Sequence, residues 1–177
     1  MDCFIQEWDA SVRDNIVLKL YKTVKYTFQY ELYLDVTKDK YLCHALTKLR
    51  VSSHKLRIET GRYGRNRIER HERLCELCTS GQVEDEYHFL FECSCYRQLR
   101  LQYIPVFFTT RPNMYKLTLL FRSKNDTVLL NLSKCIYNDM RIRTALLSCF
   151  LFLCYINHLI EYTLLCSFVH VHICLIS

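Results

Sequence analysis

Four soft metal ligands fall within nineteen residues of this chain: Cys75, Cys78, His88 and Cys93, spaced C-x2-C-x9-H-x4-C. Two thiols separated by two residues can bend around one ion, and a His/Cys pair downstream can close a tetrahedron about it. This is the spacing of a structural Zn²⁺ site, where protein fills all four positions and none is left open for chemistry. The pattern constrains the fold more than any other feature, because it obliges residues 75–93 to converge on one point. A CxxC pair alone also suits thiol redox chemistry. His88 and Cys93 at ligand spacing, with acidic neighbours able to orient His88, turn the balance toward zinc. Cys95 rivals Cys93 for the fourth position, and His71 is a weaker rival.

With only three glycines and two prolines, the chain has too few turn formers for a loop-rich all-β protein, so helices are favoured. Half of its residues are hydrophobic, which argues against disorder over most of its length. Eleven cysteines would suit a disulfide scaffold in a small secreted protein. Residues 1–8, however, show neither a basic n-region nor an apolar h-region. Reduced thiols in a nuclear or cytoplasmic protein are the expectation, with buried cysteines acting as small hydrophobes.

Along residues 3–50 the pattern is helical. Ile5, Trp8 and Val12 recur at helical spacing, and Leu42, Ala45, Leu46 and Leu49 share a face. Residues 17–33, rich in Tyr, Val and Thr, are compatible with helix or strand. All three glycines lie between Gly61 and Gly81, so residues 59–67 are expected as an exposed loop and residues 79–82 as the turn after the CxxC pair. Glu84, Asp85 and Glu86 then suit a helix N-terminus. On an α-helix His88 and Cys93 would not share a face, so either Cys93 lies at the helix end or the last turn loosens. Further helices are expected through Tyr96–Ile104, through Met114–Phe121 with Pro112 in its first turn, and from an Asn125-Asp126 cap onward. Asp35 with Asp39, and the 84–86 acids, mimic paired catalytic carboxylates, but no nucleophile or partner metal stands beside them. Structural and capping roles are expected instead. His54, His170 and His172 are read as packing or surface residues.

The tail differs in kind. Residues 144–177 contain no Lys or Arg and one acid, Glu161. About 20 apolar residues span a bilayer core, so residues 142–161 are a candidate membrane span, with Arg141 and Arg143 on the cytoplasmic side. A buried helix, or translated sequence never selected as protein, would show the same hydropathy. Residues 1–143 hold all 24 basic residues and all but one of the 18 acids. Nine of the basic residues lie between Lys48 and Arg73, against Glu59, Glu69 and Glu72. Arg62, Arg65, Arg67, Arg70 and Arg73, with Tyr63 available to stack on a base, suit single-strand or hairpin RNA contacts. A solvated charged loop is the bland alternative.

Several strings carry a family resemblance: residues 49–56 (LRVSSHKL), 58–63 (IETGRY), 70–78 (RHERLCELC) and 84–93 (EDEYHFLFEC). Together they resemble the zinc-binding region that follows the reverse transcriptase domain in non-LTR (LINE-like) retrotransposon polyproteins. The resemblance covers about residues 3–143 and is most specific over 49–96. It implies zinc on Cys75, Cys78, His88 and Cys93, and RNA or DNA of the element as partner. The polymerase's Tyr/Phe-Ala-Asp-Asp turn is not among these residues, and Ser94 stands where the family often has proline.

The fold class expected is mainly α: a small helical domain with one zinc-stapled CCHC module and an apolar C-terminal helix. The divisions are a helical N-terminal segment (1–49), the zinc module (50–96), a helical extension (97–143) and the apolar tail (144–177). The function expected is non-catalytic, zinc-dependent binding of nucleic acid by a retroelement remnant. The alternatives are a membrane-anchored zinc module for protein interaction, or an unselected retroelement product.

Overall fold

The computed structural model describes the backbone of residues 2–63 and 67–174, and the side chains of residues 3–63, 67–149 and 152. The chain divides into two compact units, Met1–Met140 and Arg141–Ser177. Among the described residues the architecture is mainly helical, and β-structure is confined to one antiparallel bridge, Leu74 with Val83.

In the first unit, α1 (Asp2–Asp14) carries Ile5, Trp8 and Val12 as expected. Residues 17–33 resolve into a single short helix, α2 (Lys19–Val24), followed by irregular chain up to α3 (Tyr33–Val36). α2 buries Leu20 and Val24. α4 (Lys40–Arg50) begins at Asp39, whose carboxylate accepts the backbone N–H groups of Tyr41 and Leu42 at 2.7 and 3.2 Å. Asp39 is thus an N-cap. Leu46 and Leu49 put the α4 stripe fully inside the core.

Beyond α5 (Arg57–Thr60) and the metal-site segment come α6 (Arg97–Tyr103) and α7 (Val106–Thr109). α8 (Met114–Phe121) and α9 (Asp126–Cys174) follow. Asn113 caps α8 by accepting the Lys116 N–H at 2.9 Å, so Pro112 stands before the cap instead of in the first turn. Asn125 caps α9 through the Val128 N–H at 3.1 Å. α2 packs on α4 and α8, and α7 joins α6 to α8.

The expected exposed loop at 59–67 is corrected in part. Glu59 and Thr60 belong to α5, and Glu59 is buried. Gly61 has φ −73, so it is not there for a left-handed turn. A Cβ at Gly61 would lie 2.9 Å from both the Arg57 carbonyl oxygen and Arg73 Cγ, so its role is close approach. Gly81, at φ +66, does take the left-handed turn conformation. Gly64, with Arg65 and Asn66, lies outside the described residues.

The side chains of most of the candidate span 142–161 also lie outside the described residues. Among the described residues, no helix is long and apolar enough to cross a membrane. The expectation of an apolar, membrane-crossing C-terminal helix is therefore not met there.

Arg50, at the end of α4, is 2% exposed and sits inside the core. It pairs with Glu31 at 2.7 Å and donates to the Phe121 carbonyl at 3.0 Å. The Tyr33 and Phe121 rings flank its guanidinium at 4.9 and 5.8 Å. Lys25 holds the other oxygen of Glu31 at 2.9 Å. Removing Arg50 leaves the largely covered Glu31 to Lys25 alone within this network and opens a cavity between the Tyr33 and Phe121 rings. Arg50→Ala should lower unfolding free energy by about 3–5 kcal/mol in denaturant titrations. Arg50→Met, which refills the volume without the charge, should cost less.

Buried Asp139 accepts the Cys135 thiol at 3.3 Å. Burial raises its carboxyl from 3.8 to about 7, while Cys135 and Arg100 oppose the rise. Between those two pH values the unfolded chain has lost this proton and the folded chain keeps it. The group's contribution to stability therefore falls as pH rises through that window. Melting temperatures of Asp139→Asn and wild type across pH 4 to 7 should differ in slope, with the wild type losing stability relative to the variant as pH rises.

Candidate metal centre

Residues 73–84 fold back on themselves because the Cys75 N–H donates to the Gln82 carbonyl at 2.8 Å and the Glu84 N–H to the Arg73 carbonyl at 2.9 Å. With the Leu74–Val83 bridge this makes a short hairpin. Gly81 turns its tip, and Ser80 Oγ steadies the turn by accepting the Gln82 N–H at 3.3 Å. Cys75 starts the hairpin, and Cys78 lies three residues on with its sulfur 3.1 Å from Ser80 Oγ.

The second pair comes from a π-helical turn, His88–Glu92. Asp85 opens it by accepting the His88 N–H at 3.0 Å. The Cys93 N–H closes it on the His88 carbonyl at 2.8 Å, five residues back. In an α-helix, residues five apart point about 140° from each other. Widening the turn to five residues brings His88 and Cys93 round to one side, a use typical of π-bulges at functional sites. The loosened turn expected from the spacing is the one observed.

The four ligand atoms all lie within 4.8 Å of one another. Cys75 Sγ is 4.0 Å from Cys93 Sγ, and Cys78 Sγ is 3.3 Å from His88 Nε2. Zn–S and Zn–N bonds place tetrahedral ligand atoms roughly 3.5–3.8 Å apart, between those two values. Cys75, His88 and Cys93 are buried and Cys78 is half-buried. The cluster can hold a metal ion, and its three sulfurs and one imidazole are soft donors of the kind that favours zinc. Cys95 stands outside it, with its thiol donating to the Leu77 carbonyl at 3.2 Å, and His71 is exposed.

Packing also sets the protonation of these groups. The Cys93 thiol, hydrogen-bonded to Cys75 and aided by His88, outweighs burial and holds the Cys75 sulfur as a thiolate, at about 3. The same bond pushes the Cys93 thiol up. Burial disfavours the charged His88 ring, but hydrogen bonds to Cys75 and Cys78 outweigh it and raise His88 to about 9. A divalent cation would replace these shared protons, so binding releases protons and weakens in acid.

Glu92 is the acid that faces the free side of the His88 ring, with Oε2 3.6 Å from Nδ1. Of the acidic neighbours expected to orient His88, Glu92 is the one placed to do so, at i to i+4 spacing. The preceding acids brace the surrounding chain instead. Glu84 accepts the Arg57 backbone N–H at 2.7 Å, and Glu86 holds His54 Nε2 at 3.0 Å. The Leu56 N–H occupies His54 Nδ1 at 3.3 Å, which leaves the ring proton on Nε2 to donate to Glu86. His54 is therefore a buried packing residue, as the sequence suggests.

The basic residues divide sharply. Tyr63, Arg67 and Arg70 are exposed, and Arg70 pairs with Asp85 at 3.3 Å. Arg62 is mostly covered, bound to Glu59 at 2.8 Å and to the Ile58 carbonyl at 3.2 Å. Arg65 lies outside the described residues. Arg73 corrects the expectation of a contact residue, because it is 5% exposed. It spends its donors on the Ile68 and Ile58 carbonyls, both at 2.9 Å. It is an internal strut seated against Gly61.

Comparison with protein-family models, curated proteins and solved structures gives no match for this chain.

Purified chain should carry about one Zn²⁺, measured by elemental analysis, and Cys78→Ser or His88→Ala should remove it. A chelator should lower the melting temperature of the wild type but not of those variants, because structural zinc supplies folding free energy. Glu92→Gln should keep the metal but weaken it by about 10- to 100-fold in chelator competition, the usual scale for a group orienting a ligand histidine.

Proposed function

We propose that this protein is a zinc-stapled, non-catalytic nucleic-acid-binding module of retroelement origin, similar to the region that follows the reverse transcriptase in non-LTR retrotransposon polyproteins. The observation that carries this reading is the convergence of Cys75, Cys78, His88 and Cys93 to within 4.8 Å. Four protein ligands complete a tetrahedral zinc shell, which is the mark of a structural ion and not of a catalytic one. The ion's work is then to hold the hairpin and the π turn together. Its partner would be RNA or DNA of the element.

The adjoining surface supports a polyanionic partner. Tyr63, 64% exposed, offers a stacking face, and exposed Arg67 and Arg70 offer charge, Arg70 while paired with Asp85. Contacts of this kind are electrostatic in origin, so affinity should fall linearly with the logarithm of salt concentration.

Fluorescence anisotropy of a labelled single-stranded RNA against the zinc-loaded full chain tests the reading. Arg67→Ala with Arg70→Ala should weaken binding and flatten the salt slope by about 1.4, the value for two lost phosphate contacts on a single strand. If the wild-type chain shows no binding even at low salt, the proposal is wrong.

A further inference from the structure

The irregular chain after α2 exposes more aromatic surface than its neighbours. Tyr26 is 61% exposed, Tyr30 68% and Phe28 47%. A core segment would have buried them. Tyr26 and Tyr30 instead line a cavity of about 290 Å³, closed on its far side by the turn that follows α8. Arg122 and Lys124 come from that turn and are exposed.

The cavity's charge is one-sided. Lys25, Arg50, Arg122 and Lys124 line it against a single acid, Glu31. Glu31 is already shared by Lys25 and Arg50, at 2.9 and 2.7 Å. Positive charge thus exceeds negative before any ligand arrives, and Arg122 and Lys124 stand at the exposed rim. The Arg122 guanidinium lies 4.1 Å from the Tyr26 ring centroid and donates to its hydroxyl. That contact presets the tyrosine beside a cation, which is the pairing that base stacking with phosphate neutralisation requires.

A second hollow, of about 420 Å³, adjoins the first. Tyr26 and Thr27 line both, and Trp8 and Phe28 line the second. Asp9, in the second hollow, is already paired with Arg13. Tyr26 therefore stands as a partition between two hollows, each with its own exposed aromatic. A free mononucleotide would need one of them; a strand would use both.

From this geometry, and resting on the nucleic-acid reading above, we infer that residues 25–30 and 122–124 form a single-strand binding cleft, in which successive bases stack on Tyr26 and Tyr30 and Arg122 and Lys124 hold the backbone phosphates. This cleft is built from residues other than Tyr63, Arg67 and Arg70. The module then contacts its strand on two surfaces.

The test uses the zinc-loaded full chain and a fluorescein-labelled oligouridylate of about 12 nucleotides, within the site sizes of single-strand binders. Tyr30→Ala and Tyr26→Ala should each weaken binding by about 5- to 150-fold, the range for loss of one base–aromatic stack. Tyr30→Phe should retain near-wild-type affinity. Lys124→Glu should weaken binding and flatten its salt dependence. A 5-iodouridine probe should photocrosslink to Tyr26 or Tyr30, located by mass spectrometry. All these side chains are exposed, and zinc content with circular dichroism confirms that each variant is folded. If Tyr30→Ala and Lys124→Glu bind as well as wild type while the Arg67/Arg70 variant does not, the cleft is refuted and the proposed function stands. Loss in Lys124→Glu alone, with no crosslink at the tyrosines, reduces the cleft to a charged patch and overturns the inference. Uridine monophosphate competing as well as the oligomer makes it a mononucleotide pocket, which also overturns it. A concentration-dependent dimer abolished by Tyr30→Ala makes the face a protein interface and overturns it too. No binding by wild type at low salt removes both proposals together.

Discussion

Between α4 and α6 the chain holds itself together with very little regular backbone. Among the described residues of 51–96, one β-bridge, a helical turn at α5, a π turn and two 3-10 turns, Arg70–Glu72 and Ser94–Tyr96, supply most of the regular backbone. Segments this short cannot supply the cooperative hydrogen bonding of a long helix or a broad sheet. A shared ligand sphere would solve the problem differently: an ion held by Cys75, Cys78, His88 and Cys93 would join the hairpin and the π turn at one point. Everything else in that region is arranged so that the four donors arrive together.

The arrangement relies on buried polar groups to an unusual degree. Arg73 donates to the Ile58 and Ile68 carbonyls, Glu84 caps a backbone N–H of α5, and His54 and Glu86 tie the approach to α5 to the start of the π turn. Arg73 and Glu84 pair with backbone groups that regular structure would otherwise have satisfied. Arg100 extends the same logic outward: it donates to the Cys93 carbonyl and shares an electrostatic environment with Asp139 on α9. The metal-site segment is therefore tied to α6 through Arg100, and is packed within itself by Phe89 on Tyr96, whose ring centroids are 5.0 Å apart.

What can be read from sequence follows the strength of local rules. The ligand set is legible because soft donors at fixed spacing have few other uses, and the caps at Asp39 and Asn125 because short polar side chains before an apolar periodic run have one common role. Residues 17–33 are ambiguous because their tyrosines divide: Tyr21 and Tyr33 sit in short helices, while Tyr26 and Tyr30 stay exposed on irregular chain. Arg73 escapes a sequence reading for a more general reason. Position in a basic run says nothing about which arginine turns inward, and only the tertiary approach of Gly61 makes room for its stem. The glycine is visible in the sequence, but its reason is steric and not conformational. The tail's hydropathy suggests a span, yet no described helix meets the length and apolarity that one demands.

The π turn has a consequence for how this stretch can change over time. Its geometry counts residues: His88 and Cys93 face the same way only because five peptide units separate them and the Cys93 N–H reaches back by that same number to the His88 carbonyl. The three buried side chains in the middle of the turn, Phe89, Leu90 and Phe91, answer to packing and can vary among apolar types. The turn's length cannot. One residue more or fewer would rotate Cys93 by about 100° around the turn, out of reach of the other donors. Residues 88–93 thus behave as a ruler, tolerant of apolar exchange at its middle three positions and closed to insertion.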